Sequence, residues 1–593
     1  MNDTPLRYRI VPVNPGAHLF EVTLVVDEPA ADGQIVSIPA WIPGSYMIRD
    51  FARHVVSIRA QSGDRELELV KLDKSHWQAG VSHEPVTFTL EIYAFDLSVR
   101  GAHLDTTHAF FNGACVFPRI AGQTDRACEV DILPPPEPIG NAWRVATSMR
   151  ALGAERYGFG TYAADNYDEL IDHPVEIGNL LIGEFEAGGI PHAIAVRGHK
   201  RFDMARICHD LAKLCEGHHK LLGAPKDLDR YLFLLLVLPD GYGGLEHRWS
   251  SSLVCSRGDL PLRGEQGVKS GYRKFLGLCS HEYFHLWNVT RMKPAQFTPY
   301  DLRSESHTGL LWVFEGITSY YDSLALLRSG LITRESYLEL LAKTITRVMR
   351  SRGRFRQSLE ESSFDAWTKF YKQDAGSTNS IVSYYSKGSL VALALDLVIR
   401  RDTGGEHSLD TVMRECWRRY GETGEGMPER GLESVARTVT GLDLREFFER
   451  YVRGTSDLPL TKLLGDFGIV LHKRPSEGGD DAGGKSPAAD FVPAPWLGMQ
   501  VACRSGRELV TVVHADSPAA KSGLAPGDEL VALGDVRLTA ANFDARLREY
   551  HVGDRVTISV FRNDELLKFK VRLAHAPEDT CYLEIAGDPA AWL

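Results

Sequence analysis

The sequence predicts a multidomain α+β protein, and three observations support that prediction. At 593 residues the chain is too long for one hydrophobic core. Residues 1–170 carry short β-rich runs separated by proline and glycine, whereas residues 335–451 show mainly helical periodicity. Residues 473–490 are rich in glycine and charged residues, which is typical of a linker or exposed loop, and they set off a last segment, 491–593.

Composition narrows the possible partners and compartments. A net charge of −11 and a pI near 6.0 argue against nucleic acid as a partner. No apolar run approaches the ~18 residues that a membrane span needs, so no membrane partner is expected. The first residues lack the basic start and apolar core of a signal peptide, which predicts a cytoplasmic protein, or a periplasmic one if a signal has been removed. Nine cysteines without a CxxC pair suit reduced thiols in the cytosol.

The first 170 residues predict an all-β domain resembling a sandwich. Leu19–Val26 and Val86–Tyr93 are its clearest strands, since both are dominated by β-branched and aromatic residues. The stretch Trp41–Phe51, with the sequence WIPGSYMIRDF, has two interpretations. It is either a structural turn or a loop that faces a functional cleft, and the residues alone do not decide between them.

The segment His281-Glu-Tyr-Phe-His285 is the strongest chemical signal in the chain. Two histidines four apart on a helix lie on one face, and both rings can reach one zinc ion at about 2.0–2.1 Å. Glu282 projects from the same turn and could handle a metal-bound water, as in the His-Glu-x-x-His arrangement of zinc peptidases. The alternative is a helix with two exposed or capped histidines. Cys279, two residues before His281, is expected to be a small core residue on the back of that helix, with a competing metal ligand as the alternative.

A catalytic zinc needs a third protein ligand and one open position. The apolar segment from Thr308 to Leu327 predicts a buried helix, and Glu315 lies in its middle. A buried carboxylate is costly unless it is paired or bound to metal. Glu315 is therefore a candidate zinc ligand, with a core salt bridge as the alternative.

Two further segments complete the candidate site. Arg201–Leu222 predicts a helix and Tyr231–Leu238 a buried strand. The strand is followed by DGYGGLEH, where Gly243 and Gly244 on an edge strand would let a substrate main chain approach closely. Later, Ser383-Tyr-Tyr-Ser-Lys-Gly388 opens an apolar helix.

The HEYFH segment followed by Glu315 in WVFEGITSY resembles the gluzincin metallopeptidases, and among them the glycyl aminopeptidase family, distant relatives of aminopeptidase N. The resemblance implies a thermolysin-like catalytic domain over residues 171–472, with a helical subdomain and one Zn²⁺ per chain. DGYGGLEH resembles the Gly-x-Met-Glu-Asn element of these relatives, although leucine and histidine replace its methionine and asparagine. That match implies that Glu246 binds the free α-amine of the substrate. Tyr385-Ser-Lys-Gly matches their Tyr-x-Lys-Gly element, which implies that Tyr385, and not its neighbour Tyr384, donates to the oxyanion.

Residues 491–593 resemble a PDZ domain in the patterns that begin at Trp496 and Val510. Leu497, Gly498 and Met499 would form its carboxylate-binding loop, whose backbone amides can hold a peptide C-terminus. The alternative is a domain that docks structurally on the catalytic domain.

Together these features predict a zinc aminopeptidase acting on peptides with a free N-terminus. A preference for glycine or alanine as the released residue is implied by the family resemblance alone. A zinc endopeptidase or a broad di- and tripeptidase is the alternative among enzymes. The alternative of another class is a PDZ-bearing adaptor whose peptidase scaffold is inactive.

Overall fold

A computed structural model describes residues 4–198 and 201–593. The chain forms two compact units, one of residues 1–306 with 417–427 and the other of residues 307–416 with 428–593. Among the described residues, no helix combines the length and the apolar character that crossing a membrane requires.

The first unit begins with the predicted β-rich region, which contains three sheets. Its largest sheet has eight strands in the order Arg150–Ala151, Gly160–Ala164, Cys128–Ile132, Leu6–Asn14, Leu19–Val26, Val86–Tyr93, Val55–Ser62 and Arg65–Leu67. The second sheet has the order Arg144–Thr147, Val175–Gly178, His108–Phe111 and Ala102–Leu104, and the third Arg119–Ile120, Ile35–Ser37, His76–Ala79 and Leu69–Lys71. Strand Leu19–Val26 alternates strictly between buried and half-buried residues, because its apolar side chains recur at every second position. Its bounds and those of Val86–Tyr93 agree with the prediction.

A five-stranded mixed sheet follows in the same unit. Its order is Leu181–Ala187, Ile190–Arg197, Tyr231–Leu238, Ser250–Ser256 and Tyr242–Glu246, so Tyr242–Glu246 is an edge strand. The strand predicted at Tyr231–Leu238 is confirmed with the same bounds. The helix predicted from Arg201 begins at Met204, because the side chain of Asp203 caps it by accepting a hydrogen bond from the Arg206 N–H. A second long helix, Ser270–Phe284, carries most of the HEYFH segment.

The second unit contains the helical region. Its longer helices are Ile317–Arg328, Arg334–Arg350, Ser386–Asp402, Leu409–Cys416 and Gly431–Thr440. Shorter helical segments are Trp312–Gly316, Arg352–Phe355, Leu359–Phe364, Ala366–Phe370, Ser377–Ser380, Arg445–Phe448, Glu449–Arg453 and Leu460–Gly465. The helix predicted from Thr308 begins as a π-turn at Trp312. The Thr308 hydroxyl accepts a hydrogen bond from the Leu310 N–H, and this local turn competes with helix formation.

The last part of the second unit is a PDZ-like sheet with its own apolar core. Its strands are Met499–Arg504, Arg507–Val513, Glu529–Leu533, Val536–Arg537, Arg555–Arg562 and Glu565–Arg572, with helices Pro518–Ser522 and Phe543–Leu547. The chain enters and leaves this sheet at a bridge between Trp496 and Ala574. It then forms strand Thr580–Ile585, which pairs with Ile469–Arg474 in a separate two-stranded sheet. The PDZ-like sheet is therefore shorter than the range 491–593.

Candidate active site

Helix Ser270–Phe284 places the two motif histidines on one face. The ring centroids of His281 and His285 are 4.8 Å apart, as expected for residues one turn apart. His281 is half-buried, whereas only 1% of His285 is exposed. The helix ends at His285, so the second ring lies at its C-terminus.

The surroundings of His285 fit a metal ligand. Its Nδ1–H donates to the backbone carbonyl of Asn288 at 2.7 Å, which fixes the neutral tautomer that has a lone pair on Nε2. Metal-binding histidines are commonly held in this way, with the second ring nitrogen donating to a carbonyl or carboxylate. The donor set of two imidazoles and nearby carboxylates is one that zinc accepts.

The opposite face of the helix is fixed by buried polar contacts. The Ser280 hydroxyl hydrogen-bonds with His218 at 2.9 Å, and the Tyr283 hydroxyl contacts ring nitrogens of His192 and His219 at 2.9 and 2.8 Å. Cys279 is fully buried, and burial raises the pKa of its thiol well above the usual range. A thiolate is therefore disfavoured there, in agreement with the interpretation of Cys279 as a core residue.

Two carboxylates converge with His285 inside the first unit. Glu246, Glu282 and His285 each offer a ligand atom within 4.8 Å of those of the other two. Glu282 and Glu246 are only 5% and 7% exposed. Glu246 ends the edge strand, and Glu282 comes from the helix, so the five-stranded sheet and its neighbouring helix bring them together.

The two glycines of the edge strand differ in their surroundings. A Cβ placed on Gly244 would lie 1.9 Å from Oε1 of Glu282, whereas one on Gly243 would meet no heavy atom closer than 3.9 Å. The Gly244 carbonyl also accepts a hydrogen bond from Arg100 at 3.3 Å. Of the two glycines, only Gly244 lies against Glu282, so a side chain at residue 244 would displace the Glu282 carboxylate.

The stretch Trp41–Phe51 lies against Glu246 and lines the same cavity, which favours the interpretation as a loop that faces a functional cleft. Gly44 has a φ of +84°, and a Cβ there would lie 2.6 Å from both carboxylate oxygens of Glu246. The Trp41 indole donates to the carbonyl of Asp301 at 2.8 Å and holds the start of the segment. In the sequence, the pair Pro43-Gly44 was the feature that could have indicated this contact, because a glycine at positive φ often marks a place where the backbone approaches another group closely.

His247 stands where the related element has asparagine, and it serves a structural contact. Its Nδ1–H donates to Asp172 at 3.0 Å. Burial alone would raise the pKa of Asp172, but the hydrogen bonds from His247 and the Arg248 N–H lower it overall. Glu246 and His247 both line a cavity of about 450 Å³ in the first unit.

In the second unit, Glu315 is 2% exposed and lies in the π-turn Trp312–Gly316. The following residue packs directly on helix Ser386–Asp402: a Cβ on Gly316 would lie 2.7 Å from the Cα of Gly388. This glycine contact brings the Tyr384–Tyr385 segment close to the turn that carries Glu315. Burial raises the pKa of the Tyr384 hydroxyl, and Tyr371 and Glu315 raise it further.

The two adjacent tyrosines differ in accessibility. Tyr384 is fully buried, whereas Tyr385 is half-buried and immediately precedes helix Ser386–Asp402. The Tyr385 ring stacks on Phe370 at 5.6 Å, and its hydroxyl lies 3.5 Å from that of Tyr371. Tyr385 is thus the tyrosine that a bound molecule could reach.

Comparison with known families and structures agrees with these features. The Peptidase M61 N-terminal domain matches residues 7–179, the M61 glycyl aminopeptidase domain matches residues 274–391, and a PDZ domain matches residues 495–573. The crystal structure of an aminopeptidase N family protein from Idiomarina loihiensis is similar over 99% of both chains, with 38% identity and a TM-score of 0.95. This chain belongs to the M61 glycyl aminopeptidase family.

Other similarities of this M61 peptidase are more distant. Two structures of an M1 zinc metallopeptidase from Deinococcus radiodurans, one a mutant bound to a Tyr-Ser-Ala substrate, share 13% and 16% identity. Their TM-scores are 0.48 and 0.46, over 77% of this chain and 94% of theirs. No curated protein matches the sequence.

The predicted carboxylate loop of the M61 peptidase lies at the start of the PDZ-like sheet. Leu497 and Met499 are buried in its core, and Gly498 has a φ of +79°. The carbonyls of Leu497 and Gly498 accept hydrogen bonds from the N–H groups of Ala519 and His514, both at 2.9 Å. The loop is therefore held by backbone N–H groups of helix Pro518–Ser522 and of the residue that follows strand Arg507–Val513.

Proposed function

We propose that this M61 peptidase is a zinc aminopeptidase that releases a small N-terminal residue, glycine or alanine, from peptides. The observation that carries the proposal is the convergence of Glu246, Glu282 and His285 within 4.8 Å. In a metal-dependent hydrolase, one carboxylate beside a metal ligand can act as the general base for the attacking water. A second carboxylate in the same small space gives a substrate ammonium a place to bind.

His281, His285 and Glu315 are assigned as the zinc ligands. The family resemblance supports this set, as do the shared face of the two histidines, the tautomer of His285 and the burial of Glu315. A bound zinc ion supplies Lewis acidity, which lowers the pKa of a coordinated water and polarises the scissile carbonyl.

Glu282 is the proposed general base. It is nearly buried and its position is restricted by Gly244, so its carboxylate is held where it can accept a proton from the attacking water. The same carboxyl group then donates that proton to the leaving amine. The side chain therefore acts as base in one step and as acid in the next.

Tyr385 is the proposed donor to the oxyanion. Its partial exposure supports this role, because a hydroxyl must be reachable to hydrogen-bond with a substrate oxygen as charge develops there. Tyr384 is fully buried, so a substrate oxygen could reach its hydroxyl only if the surrounding packing changed.

Glu246 is the proposed binding group for the α-amine. A nearly buried carboxylate both holds an ammonium group and rejects a blocked N-terminus, which would leave the carboxylate unpaired. The cavity beside Glu246, about 450 Å³, is large enough for side chains bulkier than that of alanine. The preference for glycine or alanine therefore rests on the family resemblance.

The test combines metal analysis with peptide hydrolysis. His285→Ala and Glu315→Ala should lose both zinc and activity, whereas Glu282→Gln should keep about one zinc per chain and lose turnover. Glu246→Ala should raise KM for free-amine peptides and so reduce the difference in kcat/KM between free-amine and N-acetylated peptides. Rapid cleavage of N-acetylated peptides by the unmodified chain would favour an endopeptidase, and an active Glu282→Gln variant would refute the mechanism.

A further inference from the structure

A second cavity, of about 380 Å³, lies in the second unit where the PDZ-like sheet contacts the helical region. One wall belongs to helix Arg334–Arg350, and Gln500 and His514 of the PDZ-like sheet form another. The contact is specific: the Asn379 side chain donates to the carbonyl of Val513 and accepts from the N–H of Ala515, both at 2.8 Å. The PDZ-like sheet therefore has a defined position beside the cavity.

The lining of this cavity is cationic. Lys343, Arg347 and Arg350 line it, and the described lining residues include no aspartate or glutamate. Lys343 pairs with Glu339 at 2.5 Å, and Arg350 donates to Thr580 at 2.6 Å and pairs with Asp579 at 3.4 Å. Arg347 is exposed, and no acidic partner is present for it within residues 4–198 and 201–593. Such a surface favours an anionic ligand.

The cavity begins next to the proposed oxyanion donor. Ser383 and Ser386, which flank the two adjacent tyrosines, both line it. Phe370 also lines it, and its ring stacks on that of Tyr385 at 5.6 Å. An extended peptide advances about 3.3–3.6 Å per residue. A substrate whose scissile carbonyl is at the Tyr385 hydroxyl would therefore reach the cavity within a few residues.

We propose that this cavity binds the C-terminal carboxylate of short peptide substrates, with Arg347 as its principal counter-ion. The inference rests on the proposed aminopeptidase function and adds a substrate class, oligopeptides with a free C-terminus. It also assigns the PDZ-like sheet a role, because Gln500 and His514 help to enclose the site. Arg347 acts here as a binding residue and takes no part in the chemical step.

The kinetic test compares Gly-Ala-Ala with its C-terminal amide, using the full-length zinc enzyme. The free acid should have a kcat/KM about 10-fold higher, through KM, because a hydrogen bond to a charged group is worth more than one to a neutral group. Arg347→Gln should bring the ratio close to one by raising KM for the acid alone. Arg437→Gln is the matched control, since Arg437 is an exposed arginine of helix Gly431–Thr440 that does not line the cavity.

A binding measurement separates this inference from the proposed function. Titration calorimetry of the same two peptides with the Glu282→Gln chain should show tighter binding of the acid. The double variant that carries both Glu282→Gln and Arg347→Gln should bind the acid and the amide equally. Equal binding of acid and amide, or a difference that survives Arg347→Gln, would overturn the assignment. If the enzyme hydrolyses no peptide, the proposed function fails, while the calorimetry still decides what the cavity binds.

Discussion

Replacing Gly244 by alanine tests whether the position of the Glu282 carboxylate limits the reaction. Neither Gly243 nor Gly244 has a positive φ, so alanine introduces no backbone strain at either position. A methyl group at residue 244 would lie 1.9 Å from Oε1 and 2.3 Å from Cδ of Glu282. The Glu282 side chain can rotate away, so we expect the fold to survive and the carboxylate to move.

The size of that movement sets the expected effect. Relief of a 1.9 Å contact to an ordinary carbon–oxygen distance requires a shift of more than about 1 Å, and such a misplacement can cost about 10²-fold in rate. We therefore expect kcat for a glycyl peptide to fall about 10²-fold, with zinc content unchanged because Glu282 is not a proposed ligand. Because the added methyl group overpacks a nearly buried side chain, Tm should fall slightly.

Gly243→Ala is the matched control in the same strand. Its added methyl group would approach only Arg100 and Val99, at 3.9 Å, so the Glu282 carboxylate should keep its position and kcat should stay within about two-fold. Because Gly243 is also a predicted point of close approach for the substrate main chain, any loss in this variant should appear in KM. The assay is steady-state hydrolysis together with metal analysis and a thermal melt of both variants. A Gly244→Ala enzyme with full kcat, or equal losses in the two variants, would refute the idea that Gly244 positions the general base.

Three further predictions concern the second unit. Tyr385→Phe should lower kcat about 10²–10³-fold with little change in KM or zinc content, while Tyr384→Phe should change kcat only a few-fold; the opposite ranking would move the oxyanion role to Tyr384. Burial lowers the pKa of Lys387 from 10.5 to about 8, so the unfolded chain holds this proton more tightly and stability should rise between pH 8 and 10.5. Lys387→Met should therefore raise Tm by about 2–4 °C at pH 7 and by less at pH 10, and an equal gain at both pH values would contradict the burial argument. Replacing residues 497–573 by a short Gly-Ser linker should leave a folded, zinc-loaded peptidase, because Trp496 and Ala574 are already paired. A chain truncated at Phe491 should have a lower Tm, because it also lacks strand Thr580–Ile585 and the buried Trp592. Equal Tm values for the two variants would show that these segments contribute little.

Local sequence patterns predicted individual elements well. Strand Tyr231–Leu238 was predicted with its observed bounds, because eight consecutive β-forming and apolar residues leave few alternatives. Helix starts were less accurate, because capping decides them: Asp203 delays one helix to Met204, and a turn at Thr308 delays another to Trp312. Capping depends on single side chains, which periodicity does not register.

The sequence by itself determined the chemistry of the motif helix, because a four-residue spacing places His281 and His285 on one face of any α-helix. Only the tertiary structure decided what surrounds that helix. The contact of Gly44 with Glu246, the burial of Tyr384 beside an accessible Tyr385, and the pairing of Thr580–Ile585 with Ile469–Arg474 all join residues through packing or strand pairing. Such contacts depend on which surfaces are buried together when the whole chain folds, and no local spacing encodes that choice.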